Sequence, residues 1–521
     1  MQQRTLKILY NAHSWMGVVT GLILFVVCFT GTVALFHYEL ATWENPGYRI
    51  NETEAKEKAL PVQQIIDRAT QEHGFVYDEF FITLPGRFGV PVTFYHFNEE
   101  THELTKMAVD PTTGEKLQSA NSNIVEFQTH MHTDLNLPEP WGRYLVGLFG
   151  IILLFSIVTG VLSHRKYFKE FFKFRPNRSW RLLLTDTHKV MGAWGILFHT
   201  MIAFTGAVIG LVGLFLLVMA YAAYGGDREA AIEGFVGPHI EESGVAAPMY
   251  NVDQLVTKAE QHWQGFRVEF VSYHGFGDEN ARVTLGGSME EQLASVQQLT
   301  FDGVSGAMTF ESDFMDMGAG ARIYGASFAL HYALYGGFML KLLYMVLGAS
   351  VALMTVTGMM IWLEKRHSED KRYRKLSSAT CGICMGLVVA TATLFVSNQL
   401  ISRSIADKPF YEELIYFISW LLCIFWAFYR GNNYQATKEL LLVSGALLLA
   451  APILNAINTG DHILASLQKG YYTVAGTDIL LITFAITCWL VAKRLPHSRP
   501  ESEHKSKAKV SIIQEPVSAT S

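Results

Sequence analysis

Apolar residues along the chain gather into eight runs, about 14–36, 142–163, 190–220, 339–363, 377–400, 412–429, 438–457 and 476–493. Each is close to the roughly 20 residues needed to cross a hydrocarbon layer of about 30 Å, so the pattern predicts eight transmembrane helices. Two long polar segments interrupt the series, at 39–140 and 222–337, and in them the period changes. "PVQQIIDRATQEHG" and "NVDQLVTKAEQHW" carry helical spacing. "MAVDPTTGEKL" from 107 and "LTFDGVSGAMTF" from 299 read as a strand, a turn and a return strand. Each long segment therefore predicts a small α+β domain. The expected organisation is a first transmembrane helix in 1–38, a domain in 39–140, and helices two and three in 141–221. A second domain follows in 222–337, then a fourth helix in 338–364, a four-helix bundle in 376–493 and a disordered tail in 494–521. The fold class is mainly α, polytopic, with about eight spans.

The first four spans form a duplicated core. His13–Val33 and His188–Val208 align without a gap and share His, Met-Gly, Leu and Phe-Thr-Gly at matching places. "HTDL" at 132–135 corresponds to "HYAL" at 331–334, and the spans that follow end in "VTG" at 158–160 and 356–358. The bundle 376–493 has no such copy.

Composition sharpens this picture. Half the residues are hydrophobic, 17% are charged, and the mean hydropathy is +0.20, which points to a lipid-embedded protein with water-exposed parts. The net charge of −6 gives no basic footprint, and no nucleic-acid partner is expected. Loops 164–181 and 364–375 are rich in Lys and Arg, and the two long segments are acid-rich. The charge bias predicts that both termini and the basic loops are cytoplasmic and both long segments lie on the other side. The first run, after "MQQRTLK", reads as a retained anchor rather than a signal peptide. Cys28, Cys381, Cys384, Cys423 and Cys488 all fall in or beside apolar runs, so packing is the expected role, including for the Cys381-Gly-Ile-Cys384 spacing.

Histidine carries the candidate chemistry. His13 and His188 open the first and third spans, His164 closes the second, and His132 and His331 precede the second and fourth. His199 lies within the third. Helix-end histidines also serve as interfacial donors, but an ionisable residue inside a span usually faces the bundle interior and marks function. On a continuous helix His188 and His199 share one face about 16 Å apart, a spacing that suits two stacked haems. Gly17, Gly21, Gly31, Gly192, Gly195 and Gly206 offer close-approach positions. The inner haem would take His188 with His13 or His164, and the outer haem His199 with His331 or His132. Asp186 is a candidate acceptor for an imidazole N–H. No Cys-x-x-Cys-His, nucleotide-binding or His-Glu-x-x-His motif occurs, so covalent haem and a resident nicotinamide or flavin domain are not indicated. His130 and His132 with Asp134 form a weaker candidate for zinc.

"HSWMGVVTGLILFVVCFTGTVALF", "DTHKVMGAWGILFHTMIAFTG" and "LHYALYGGFMLKLLYMVLGASVALMTVTGMMIWLEKR" resemble the PepSY-associated transmembrane helix family of PiuB-type iron-regulated proteins, over about residues 8–367. The resemblance implies a bacterial inner-membrane protein whose two α+β segments are periplasmic PepSY-like domains. Some relatives are similar to ferrisiderophore reductases with two non-covalent b-type haems. Carried onto this chain, the resemblance makes His13, His132, His164, His188, His199 and His331 the expected haem-iron ligands, with His37 and His130 secondary. The expected function is electron transfer through two haems about 16–20 Å apart to a periplasmic ferric chelate or siderophore, in iron uptake. Electrons would come from a separate donor, a quinol or a cytosolic reductase. The alternative is a non-enzymatic membrane module whose PepSY-like domains bind a periplasmic protein or peptide.

Overall fold

The computed structural model describes residues 2–98, 101, 103–164, 167–175, 179–236, 241–289, 297–313, 316, 318–366 and 371–498. The tail beyond 498, and residues 165–166, 176–178 and 367–370 of the two basic loops, lie outside the described residues.

The chain begins with α1 (Gln3–Ala34), α2 (His37–Glu44) and α3 (Glu52–Glu57). The first α+β segment follows: α4 (Val62–Gln71), then β1 (Phe80–Thr83), β2 (Val92–Phe97) and β3 (Leu104–Val109). The short α5 (Ile124–Thr133) leads into α6 (Trp141–Ser163). The next helices are α7 (Trp180–Trp194), α8 (Ile196–Gly210), α9 (Val212–Ala223) and α10 (Arg228–Val236). The second segment holds α11 (Val252–His262), β4 (Phe266–His274), β5 (Arg282–Met289), β6 (Gln297–Asp302) and β7 (Met308–Ser312). Then come α12 (Ala319–His331), α13 (Gly337–Arg366), α14 (Lys371–Leu400), α15 (Lys408–Arg430), α16 (Asn433–Thr459), α17 (Ile463–Lys469) and α18 (Tyr472–Arg494).

Seven of these helices are long and apolar enough to span a membrane by themselves: α1, α6, α13, α14, α15, α16 and α18. The third expected span is different. α7 and α8 meet at an angle of 71°, so the expected third span is bent, and the candidate crossings number seven, or eight if this pair counts as one. The break falls at Gly195, where the His199 ring lies over the glycine in the space that a Cβ would fill. α7 also starts well before the predicted run, because Ser179 caps it by accepting from the Leu182 N–H at 3.3 Å.

Both expected α+β segments are present, and they join edge to edge. β1 pairs antiparallel with β4, placing Phe80 opposite Tyr273 and Ile82 opposite Val271. The result is one seven-stranded antiparallel sheet in the order β3-β2-β1-β4-β5-β6-β7. Ile65, Ile66 and Ala69 of α4, with Val252, Leu255 and Ala259 of α11, share one apolar core with Ile82, Phe94, Val271, Leu285 and Leu299. The two helices also cap each other. Asp253 accepts from the Val62 and Gln63 N–H groups at 2.7 and 3.2 Å, and Gln63 accepts from the Val252 N–H at 3.0 Å. Each half-sheet thus covers the edge that the other would expose.

The C-terminal helices are not a separate bundle. Phe25 and Val26 of α1, Leu40 and Trp43 of α2 and Phe127 of α5 share a core with Leu387, Phe395, Tyr416, Leu448 and Leu481. Arg49 reinforces that junction. Its guanidinium donates to Asp461 at 2.7 Å, to Asn455 at 2.8 Å and to the Trp43 carbonyl at 2.8 Å.

Candidate functional site

Four of the six candidate histidines form two pairs, one toward each end of the duplicated core. His13 of α1 faces His188 of α7, with ring centroids 6.2 Å apart and planes at 71°. His132 of α5 faces His331 of α12, with centroids 5.9 Å apart and planes at 21°. Each pair takes one ring from each half of the repeat. The second pair lies on the side of the bundle that carries the sheet, on short helices that lead from the sheet into α6 and α13.

Each ring rests in a seat built to one plan. A Cβ on Gly160 would lie 3.1 Å from His13 Cε1, on Gly358 3.2 Å from His188 Cε1, on Gly31 2.5 Å from His132 Cε1, and on Gly206 3.1 Å from His331 Cε1. Only glycine lets the imidazole approach the helix this closely. Four residues before three of these glycines, on the same helix, stands the carbonyl that receives the ring nitrogen. His13 Nδ1 donates to Ser156 O at 2.9 Å, His188 Nδ1 to Met354 O at 3.0 Å and His132 Nδ1 to Val27 O at 2.8 Å. His331 Nδ1 lies 2.9 Å from Thr205 Oγ1. That hydroxyl donates to Met201 O at 2.8 Å and so accepts from the ring. The four glycines are the last residues of the Phe-Thr-Gly and Val-Thr-Gly repeats.

These bonds fix the tautomer. With Nδ1 protonated and held, Nε2 keeps its lone pair, the form in which imidazole binds metals. No hydrogen-bond partner among the described residues reaches Nε2 of any of the four. All four residues are half-buried. Burial also holds the His132 and His331 imidazoles below the usual histidine range. Metal–nitrogen bonds of about 2 Å, with a ring radius of about 1.1 Å on each side, separate two axial imidazole centroids by roughly 6.2 Å. The donor set, spacing and tautomers fit a bis-imidazole haem at both levels.

The other two candidates go elsewhere. His199, 2% exposed, places Nε2 3.0 Å from Ser350 Oγ. The Ser350 hydroxyl donates to Leu347 O at 2.6 Å, so it accepts from His199 Nε2–H. The nitrogen that would face an iron is therefore engaged, and the expected partnership of His199 with His331 or His132 is not formed. The shared-face argument fails at the Gly195 break, because it needs a continuous helix. His164 turns to Glu170, with Nε2 3.6 Å from Oε2, rather than to His188. The spacing of the levels changes as well. His13 stands 14 residues before Val27, which anchors His132, and 18 before Gly31, its seat, about 21–27 Å of helix rise against the 16–20 Å expected.

Further expectations are redirected. Asp186 does not accept from His188; it is held by Arg175 through two bonds of 2.8 Å. His130 binds Asp134 at 2.8 Å, and among the described residues no group of three or more potential ligands gathers for zinc. His37 bonds Thr129 at 3.2 Å. Gly21 and Gly192 face Met359 and Met354, and Gly17 has nothing within 4 Å. All five cysteines are free thiols. Sequence reasoning passed over Gly160, Gly358, Ser156 and Met354. The Phe-Thr-Gly and Val-Thr-Gly motifs matched between the two halves, at 29–31, 204–206, 158–160 and 356–358, were the signal that could have found them.

Fold and site together define a multi-pass membrane protein that brings two imidazoles together at each of two levels, 6.2 and 5.9 Å between centroids. The chain belongs to the PepSY-associated TM region family, whose model matches residues 10–365. It is similar to a Pseudomonas aeruginosa protein named "Uncharacterized protein PA4219", with 28% identity over 364 residues, covering 68% of this chain and 90% of that one. All four paired histidines and all four seats lie within the matched region.

Proposed function

We propose that the protein is a di-haem b electron carrier of a bacterial inner membrane that reduces a periplasmic ferric chelate. The observation that carries this reading is the pair of 6.2 and 5.9 Å imidazole contacts, each with Nδ1 anchored and Nε2 free. Bound haem supplies one-electron chemistry. The chain would hold each haem between two neutral imidazoles, His13 with His188 and His132 with His331, whose orientation is fixed by backbone carbonyls and Thr205, at levels about 21–27 Å of helix rise apart. His13 and His188 belong to the level nearer the basic loops and an electron donor, a quinol or a cytosolic reductase. His132 and His331 belong to the level beneath the sheet, where the chelate would be reduced. Reduction of Fe(III) to Fe(II) weakens binding by hard oxygen ligands and frees the metal. This orientation rests on the basic loops being cytoplasmic.

The test is the absorption spectrum of the purified chain. The expected result is a red protein with b-type bands in the reduced-minus-oxidised difference, reoxidised by a ferric hydroxamate or catecholate. A folded, colourless protein that binds no added haem overturns the reading. Ferric reduction by the purified chain with NADH alone overturns the need for a separate donor.

A further inference from the structure

Away from the imidazole pairs, α2, α5, α14 and α15 enclose a second group of charged side chains. Glu44 ends α2, and Lys408 and Glu412 open α15; their exposures are 5%, 0% and 0%. Ser122, just ahead of α5, bridges the two acids, with Oγ 3.1 Å from Glu44 Oε2 and 3.3 Å from Glu412 Oε2. It also accepts from Asn398 Nδ2 at 2.7 Å. A hydroxyl has one proton to donate, so it can donate to one carboxylate while accepting from the other acid, which must then be protonated. Backbone N–H groups hold both acids in place, Ile124 on Glu44 at 2.9 Å and Asn123 on Glu412 at 3.2 Å. Lys408 Nζ lies 3.7 Å from Glu412 Oε1 and makes no hydrogen bond among the described residues. One buried cation balances one carboxylate, so the second is stable there only with a proton. Accordingly, burial and the neighbouring Glu412 push the Glu44 carboxyl up to about 8. Other titratable groups face the cluster: Tyr48 beside Glu44, Arg403 toward Lys408, and Glu413, which accepts from Asn123 Nδ2 at 2.8 Å. Arg403 is exposed and Glu413 half-buried, so the cluster reaches its rim there.

α5 connects this cluster to an imidazole pair. Gln128 is fully buried one turn after Ile124, and neither of its amide atoms makes a hydrogen bond of good geometry. The buried Tyr416 hydroxyl stands between Gln128 and the buried Thr391, within hydrogen-bonding reach of both. His132 follows one turn later. Gln128 thus places a buried polar side chain one turn from Ile124, whose N–H holds Glu44, and one turn from His132.

We propose that Glu44 and Glu412, joined through Ser122, form a proton-uptake site that compensates the charge of an electron arriving at the His132–His331 level. One proton enters from water by way of the Glu413 rim and bonds to a carboxylate oxygen as one electron arrives from the separate donor. It leaves when the electron passes to the acceptor. The proposal rests on the di-haem reading. Eight residues of α5 separate Ile124 from His132, about 12 Å of rise. At that distance and an effective dielectric of about 20, ionisation of the site changes the reduction equilibrium roughly tenfold.

The test is a redox titration of the full chain in detergent at a series of pH values, with infrared difference spectra. The expected result is a tenfold change in the equilibrium across the range near pH 8, 59 mV for a one-electron couple, accompanied by a protonated-carboxyl band in the reduced state. Glu44→Gln and Glu412→Gln should flatten the profile and remove the band. Ser122→Ala, which leaves both acids in place, should weaken both effects and answers the question if the Gln variants do not fold. A flat wild-type profile with haem bound overturns the proposal alone, as does a full profile in Glu44→Gln and Glu412→Gln. A wild-type chain without haem overturns the di-haem reading and this proposal together.

Discussion

The imidazole of His132 lies 5.9 Å from that of His331, centroid to centroid, although the two residues belong to different halves of a duplicated chain. The contact exists because α5 seats its ring on Gly31 of α1 and α12 seats its ring on Gly206 of α8. Repeat partners thus meet one another rather than each serving its own half.

On the proposed di-haem reading, that arrangement sets the haem stoichiometry of single variants. His13→Ala or His188→Ala should remove one haem of two, and His132→Ala or His331→Ala the other. His199→Ala should keep both, because its Nε2 is bonded to Ser350. Haem per protein, with the redox spectrum of each variant, checks this. Loss of a haem in His199→Ala would restore it as a ligand.

The seats make a graded prediction. Gly31→Ala would place a Cβ 2.5 Å from His132, against 3.1 Å for Gly160→Ala and His13. Overpacking of this kind costs about 1–3 kcal/mol, so Gly31→Ala should release the sheet-side haem while Gly160→Ala only weakens the other. Gly476→Ala, with nothing within 4 Å, serves as the control. Haem retention during dilution reads the difference.

Glu44 gives stability a pH dependence. Its folded value is raised from 4.5 to about 8, first by burial and then by Glu412. The stability contributed by its neutral form is therefore fully present below about pH 4.5 and is lost as the pH rises through about 8. The slope is at most about 1.4 kcal/mol per pH unit. Glu44→Gln should unfold in detergent with a visibly flatter profile over that window; an unchanged slope would mean Glu44 ionises freely in the fold.

Arg49 should matter to the junction with the C-terminal helices. Arg49→Ala leaves Asp461 with only the half-exposed Lys469 and removes the bonds to Asn455 and the Trp43 carbonyl. Breaking a buried pair in this way costs about 3–5 kcal/mol. The expected result is a clear drop in the detergent melting temperature with haem spectra unchanged below it.

Topology can be tested against the sheet itself. Asp110 and Asp302 follow or end strands of one continuous sheet, so reporters at Thr113 and Ser305 must report the same side. The charge bias predicts the periplasm for both and the cytoplasm for Lys173. Opposite signals at 113 and 305 would contradict the β1–β4 pairing.

Hydropathy, read residue by residue, marked the seven straight candidate spans and the bent pair α7–α8, because burial in lipid is a local property of a run of about 20 residues. The repeat determined which histidines correspond, His13 with His188 in the ungapped span and His132 with His331 ahead of the next spans, and helical and strand periods marked both α+β segments. Pairing is a different kind of fact. It depends on which glycine on which neighbouring helix leaves room for a ring and has a carbonyl four residues earlier to anchor Nδ1, and no spacing within one helix contains that. For the same reason periodicity could not show that Gly195 breaks the third span and turns His199 toward Ser350. Nor could it show that β1 meets β4, since an edge strand carries the same alternation whether or not another strand covers it. The tertiary structure decided these points because each is settled by shape and hydrogen-bond satisfaction between segments far apart in the chain.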